Sequence, residues 1–236
     1  MSEVTTKAQT RDGFGGRDRL PLRTGMATRA LLACGVAAGP VFIGVVAIQM
    51  VIRPGYDIAR HPISLLSLGD LGWIQIANFV VSGLLALAFA VGMRRTLPGG
   101  RGGRWAPIFV GLFGLGTLAA GIFHPDPAYG FPPGAPAGTL PTISVHAVLH
   151  GVSFAVASIS LTVAAFVSAR RFFSSGDSRW GSYSLATGVA APVLTLLGMS
   201  VLISRASILF AVVAVLVFGW ISAVAVELLS SANKDA

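Results

Sequence analysis

Six long apolar runs, separated by shorter polar segments, dominate the pattern of this 236-residue chain. A helix needs about 20 apolar residues to cross the hydrocarbon core of a bilayer, and each run is close to that length or longer. The runs are apolar on every face and lack the period-two alternation of a closed β-barrel. The pattern therefore predicts an all-α polytopic membrane protein, a six-transmembrane-helix bundle. The predicted spans are residues 30–52, 73–93, 105–123, 144–168, 182–204 and 207–229.

The segments outside these runs give the expected domain organisation. Residues 1–25 are rich in Gly, Thr, Arg and Asp and have almost no apolar periodicity, which is typical of a flexible basic tail. Residues 26–230 form the predicted membrane domain, and residues 231–236 form a short C-terminal tail.

Composition supports this interpretation and excludes several classes of protein. Hydrophobic residues make up 54% of the chain and charged residues 11%, whereas a soluble domain has roughly 45–50% and about 25%. The net charge is +8, but the basic residues lie between apolar runs, so no nucleic-acid partner is expected. The lone cysteine, Cys34, excludes a disulfide within the chain and a zinc site built on several thiolates.

The basic residues are distributed unevenly between the two sides of the predicted bundle. Of the 17 Lys and Arg residues, 14 lie in the N-terminal tail, the second and fourth connections, and the C-terminal tail. Cytoplasmic segments carry an excess of Lys and Arg. This bias predicts a multi-pass protein of the plasma (inner) membrane with both termini in the cytoplasm.

All four histidines lie on the predicted outer side, together with three of the nine acidic residues. His146 and His150 are four residues apart and so lie on one helix face, where two imidazoles can chelate a metal ion. A catalytic zinc site usually needs three protein ligands. One zinc or other transition metal ion is therefore a candidate cofactor at His146 and His150. The alternatives are hydrogen bonds to loop carbonyls and a metal-free acid–base or proton-relay role. The candidates for a third ligand are His61, His124, Asp126 and Asp57.

The outer side also holds residues that could carry catalysis or bind a polar group. The candidate catalytic residues are His61, Ser64 and Asp126. Ser64 could act as a hydroxyl nucleophile or metal ligand, and local backbone hydrogen bonding is its alternative role. Polar side chains in spans 1, 2 and 4 suggest a polar outer cavity, or else hydrogen bonds between helices, worth on average ~0.6 kcal/mol in a membrane. The predicted cavity residues are Gln49, Gln75, Asn78 and Ser153.

The third connection contains six prolines between residues 124 and 143. Proline fixes φ and restricts the chain. The segment is therefore predicted either to form a shaped cap over the outer face or to be a passive connector.

Short stretches along the chain carry a composite pattern: 60–69, 72–75, 78–79, 120–123, 126–127, 130–134, 146, 150–151 and 170–172. Together they resemble a family of prokaryotic membrane proteins, domain of unknown function 998. The resemblance covers about residues 30–228 and implies a multi-span helical membrane protein, without an established activity or cofactor. A looser likeness, to membrane hydrolases of the alkaline ceramidase type, concerns the His-xxx-His pair with a further His, Asp and Ser around zinc. This chain departs from those hydrolases in having six spans and in carrying the pair in the fourth.

These observations favour an outward-facing membrane enzyme, with or without a metal ion, that acts on a lipid or small amphiphile. A non-catalytic membrane subunit or sensor, and a small transporter, are the alternatives. The lipid bilayer is the expected partner.

Overall fold

The computed structural model describes residues 25–97, 99–199 and 207–234. Nearly all of the predicted N-terminal tail, residues 200–204 of the predicted fifth span, and the last two residues lie outside the described residues.

Six α-helices account for most of the described chain, and each is long and apolar enough to cross a membrane. A short 3-10 helix, Ile63–Ser67, lies between the first two α-helices. The prediction of an all-helical protein with six candidate spans is confirmed. The helices are α1 Met26–Ile52, α2 Gly72–Thr96, α3 Arg101–Ile122, α4 Val145–Ser174, α5 Ser178–Gly198 and α6 Ser207–Lys234.

The helix ends differ from the predicted span ends, mainly on the side of the basic connections. Helix α4 continues to Ser174 and α6 to Lys234, whereas the apolar runs end at residues 168 and 229. An apolar run reports the part of a helix inside hydrocarbon, and a helix that continues into the interface keeps its backbone hydrogen bonds while its sequence turns polar.

The helices form a ring in chain order. Each helix packs against its neighbours in sequence, and α6 closes the ring by packing against α1. Glycines allow close approach where lipid supplies no hydrophobic drive between helices. A Cβ atom on Gly83 of α2 would lie 2.7 Å from the carbonyl oxygen of Gly114 in α3, and one on Gly116 would lie 2.8 Å from the carbonyl oxygen of Ser153 in α4.

Helix α1 passes through Pro40 without ending, and α6 supplies the missing hydrogen bond. Proline has no N–H, so the carbonyl of Val36 loses its partner within the helix. The hydroxyl of Ser222 in α6 lies 3.1 Å from the carbonyl oxygens of Val36 and Gly35 and can donate to either. The contact satisfies an otherwise free carbonyl and fixes α6 against α1.

Candidate functional site

The first and third connections, residues 53–71 and 123–144, fold against each other at one end of the ring. We call them the cap, and that end of the bundle the capped end. His61 joins the two parts of the cap. Its Nδ1 accepts the backbone N–H of Asp57 at 2.9 Å, and its Nε2 lies 3.0 Å from the carbonyl oxygen of Tyr129. Since Nδ1 accepts, Nε2 carries the proton and donates to the carbonyl of Tyr129. Both nitrogens of the neutral His61 ring are therefore hydrogen-bonded.

Phe131 forms the centre of the cap. Its ring is fully buried and packs edge-on against Tyr56, with 5.5 Å between the ring centroids. The guanidinium of Arg53 lies 5.3 Å from the ring centroid and donates to the carbonyl oxygens of Leu66 at 2.8 Å and of Leu68. These contacts hold the third connection in a defined shape, as expected of a cap rather than of a passive connector.

Tyr56 stays a neutral donor in this arrangement. Its hydroxyl donates to the carbonyl oxygen of His61 at 2.9 Å. Burial raises the pKa of Tyr56 well above its ordinary value, and the nearby negative charge of Asp57 raises the pKa further.

Beneath the cap, the ring of helices lines a partly open cavity of about 290 Å³. All six helices contribute to its wall, and Pro62, Ile63 and Ser64 close its capped end. The volume is about twice that of the ~150 Å³ engineered cavity that binds benzene and lies near the lower end of the ~300–1,000 Å³ typical of ligand pockets.

Four phenylalanines from different helices form one wall of the cavity. Phe42 of α1 stacks on Phe218 of α6 with 4.0 Å between centroids. Phe79 of α2 lies 5.7 Å from Phe42, and Phe113 of α3 lies 5.5 Å from Phe218. This wall is apolar and holds the helices of the ring together across its centre.

The hydroxyl groups in the cavity wall are mostly engaged within their own helices. Thr117, Thr162 and Thr195 each donate to the carbonyl oxygen four residues earlier, at 2.9, 2.9 and 2.8 Å. They therefore present chiefly their methyl groups, and the cavity is more apolar than its residue types suggest.

His150 is the ionisable residue of the cavity wall. Its Nδ1 lies 2.7 Å from the carbonyl oxygen of Phe123 and 3.2 Å from that of Ala120. Carbonyls near the end of a helix lack partners within the helix, and His150 satisfies two of them at the end of α3. Ala120 lies within α3 and Phe123 directly follows it, so both are carbonyls of the helix end.

The structure gives the two histidines of the predicted pair different partners. The exposed His146 stacks on His124 with 4.9 Å between centroids and packs edge-on against Phe123. Ser64, in the 3-10 helix, lines the cavity as His150 does.

Asp126 belongs to the third connection, and its side chain contacts the residue that precedes α4. Its carboxylate accepts the backbone N–H of Ser144 at 2.8 Å, and the Ser144 side chain caps α4 by accepting the N–H of Ala147. Hydrogen bonds from the hydroxyl and the backbone of Ser144 lower the pKa of Asp126. Among the described residues, no three His, Cys, Asp or Glu side chains come together as a metal-ligand group, and the metal ion stays a prediction.

The amides expected around a polar cavity come together elsewhere, in the α1–α2 interface. Gln49 donates from Nε2 to Oε1 of Gln75 at 2.7 Å. Asn78 donates to the carbonyl of Phe42 at 3.1 Å, and Ser82 lies 3.4 Å from Asn78. All four polar side chains are buried, and none of them lines the 290 Å³ cavity.

Ser153 is separate from that group. It is buried where α3 meets α4 and donates to the carbonyl of Leu149 at 2.7 Å. It satisfies its hydroxyl locally, as serines in membrane helices commonly do.

The phenylalanine wall was missed in the sequence. In runs that are apolar on every face, no amphipathic stripe distinguishes a residue facing a cavity from one facing lipid. No signal in one sequence would have singled out Phe42 or Phe218.

Comparison with known protein families identifies this chain. A family model described as a protein of unknown function, DUF998, matches residues 36–227, which span most of the chain. No curated protein and no solved structure matches. The predicted family resemblance is confirmed.

Proposed function

We propose that this protein, which belongs to the DUF998 family, uses its cavity to bind the apolar tail of a membrane lipid or small amphiphile. The observation that carries the proposal is the 290 Å³ cavity. Its wall consists of phenylalanines, threonines whose hydroxyls donate to carbonyls of their own helices, and His150. Burial of apolar surface there would supply the binding free energy, at ~25 cal/mol per Å².

The capped end faces outward in this proposal, in the plasma membrane of a prokaryotic cell. The positive-inside bias supports that orientation, because the connections of the cap hold few of the basic residues. The cavity then lies at the depth of the outer leaflet, from which a chain can enter without crossing the bilayer.

Gly151 provides a direct test of the cavity. A Cβ atom there would meet nothing within 4 Å, and the residue lines the cavity. Gly151→Phe should place a ring at the cavity and abolish binding of a photoreactive fatty alcohol in nanodiscs. Gly44→Phe is the matched control, since a Cβ at Gly44 also meets nothing within 4 Å and the residue does not line the cavity. Equal labelling of the wild type and both variants would contradict the proposal.

Hydrolysis of a bound amphiphile is the second candidate. Ser64 and His150 both line the cavity, and a serine hydroxyl with a histidine base is a recurring nucleophilic pair. Ser64→Ala should then retain chain binding and lose release of fatty acid from a monoacylglycerol. Binding without turnover in the wild type would instead fit a sensor or subunit, and net movement across the bilayer would fit a transporter.

A transition metal ion at His146 and His150 is tested separately, by elemental analysis of the purified protein beside the His146→Ala/His150→Ala double variant. Stoichiometric metal that the variant lacks would support a metalloenzyme. Metal-free wild type with intact amphiphile binding would count against it.

A further inference from the structure

We infer that the ligand is a single-chain amphiphile with a neutral hydroxyl head group, and that this hydroxyl donates a hydrogen bond to Nε2 of His150. The inference rests on the proposed chain-binding function and adds the head-group chemistry. It follows from the tautomer of His150 and from its Nε2 atom, to which no described residue donates a hydrogen bond.

The α3 carbonyls determine which nitrogen of His150 carries the proton. The oxygens of Phe123 and Ala120 can only accept, and both lie within 3.2 Å of Nδ1. Nδ1 therefore donates. A neutral imidazole has a single N–H, so Nε2 is an acceptor.

The surroundings of His150 favour the neutral ring. The side chain is half-buried, its ring packs edge-on against Phe79 at 6.3 Å between centroids, and the cavity wall beside it is apolar. Among the described residues, no carboxylate forms an ion pair or hydrogen bond with His150. A charge without a partner is costly in such a site.

Nε2 is the acceptor that a ligand would meet. No described residue donates to it, and the wall threonines already donate to their own helices. An apolar chain that covers this half-buried ring removes water from Nε2, and an acceptor that loses water is unfavourable unless a new donor replaces it. A ligand with a hydroxyl at the end of its chain supplies that donor while the chain fills the apolar volume.

The same chemistry disfavours two related ligands. A long-chain carboxylate has only acceptor lone pairs, which would face the lone pair of Nε2. Its charged group would also lose its hydration on entering the cavity. A methyl ether of equal size also lacks a donor. The arrangement therefore predicts that, at equal chain size, the alcohol binds more tightly than the ether or the carboxylate.

The experiment compares decanol, methyl nonyl ether and decanoate at neutral pH. Equilibrium dialysis between nanodiscs that contain the full-length protein and empty nanodiscs corrects for partition into lipid. The wild type should bind decanol about fivefold more tightly than the ether, the ratio expected for one hydrogen bond, and should bind decanoate no better than the ether.

His150→Asn is the discriminating variant. The amide N–H of asparagine can replace Nδ1 as donor to the α3 carbonyls, whereas the acceptor at the Nε2 position is lost. The ratio of decanol to ether affinity should fall from about fivefold to about one, whatever change in chain binding the two ligands share. Histidine NMR of the isotope-labelled wild type gives a readout that needs no variant, because decanol but not the ether should shift the Nε2 resonance of His150.

Equal binding of decanol and ether by the wild type, or an unmoved Nε2 resonance with decanol bound, would overturn the inference and leave chain binding intact. Absence of any binding above empty nanodiscs would overturn both the inference and the proposed function.

Discussion

The Nε2 atom of His61 lies 3.0 Å from the carbonyl oxygen of Tyr129 and ties the first connection to the third, 68 residues later in the chain. Because Nδ1 of the same ring accepts the N–H of Asp57, His61 acts as a two-ended link inside the cap. It buries its ring against Phe131 at 5.4 Å between centroids.

Substitution of this link should loosen the cap. His61→Phe keeps an aromatic ring but leaves the N–H of Asp57 and the carbonyl of Tyr129 without partners, at an expected cost of about 1–3 kcal/mol. Thermal unfolding in detergent and proteolysis of residues 123–144 measure the effect. The control is His146→Phe, at an exposed ring, which should change stability by less than about 0.5 kcal/mol. Equal effects at both positions would show that His61 is not a specific link.

Close packing of α2 on α3 should make Gly83 intolerant of a methyl group. Gly83→Ala would put Cβ 2.7 Å from the carbonyl oxygen of Gly114 and 2.8 Å from the backbone nitrogen of Leu118. Backbone atoms cannot move aside as a flexible side chain can, so we expect a loss of about 1–3 kcal/mol. Gly44→Ala, with open space around Cβ, should be neutral or stabilising by up to about 1 kcal/mol. Unfolding by denaturing detergent compares the two, and a Gly83→Ala variant as stable as Gly44→Ala would contradict the close contact.

The buried amides of Gln49 and Gln75 should show coupled effects. Either Gln→Met substitution leaves the other amide buried with fewer partners, for which we expect about 1–3 kcal/mol of destabilisation. The double Gln49→Met/Gln75→Met variant should lose clearly less than the sum, because it leaves neither amide buried, and Oε1 of Gln49 and Nε2 of Gln75 have no partner among the described residues even in the native arrangement. A double-mutant cycle on the free energy of unfolding measures the coupling. Additivity within about 0.5 kcal/mol would mean that the pair does not act together.

Acid should weaken the anchor of α4. The pKa of Asp126 is lowered in the folded protein by the hydrogen bonds from Ser144, so its stabilising contribution is present above the unfolded value of about 3.9 and is lost as pH falls through the lower folded value. Asp126→Asn should reduce the drop in unfolding midpoint between neutral pH and about pH 3. The effect should be small, because the carboxylate is well solvated and water screens it.

Asp70→Asn serves as the control for that measurement, since Asp70 is exposed in the cap and does not contact Ser144. It should retain the acid-induced drop of the wild type. If the unfolding midpoint of Asp126→Asn falls in acid as much as that of the wild type, Asp126 is not the source of the acid sensitivity.

The sequence by itself determined the number of helices. Six apolar runs of the length that spans a bilayer leave few alternatives to a helix for each run, because backbone polar groups in hydrocarbon must form their hydrogen bonds within the segment. Run length therefore located α1–α6 to within a few residues at most ends. The prolines of the third connection left a shaped cap and a passive connector as equal alternatives. The family resemblance could be recognised in short stretches such as 60–69.

Only the tertiary structure decided what those helices enclose. Closure of α6 on α1, the phenylalanine wall and the separation of Gln49 and Gln75 from the cavity depend on the rotation of each helix, which a run that is apolar on every face does not encode. Sequence spacing put His146 and His150 on one side of α4 but could not show that Nδ1 of His150 meets the carbonyls of α3. That contact is set by shape and by unsatisfied carbonyls at a neighbouring helix end, which exist only once the helices have packed.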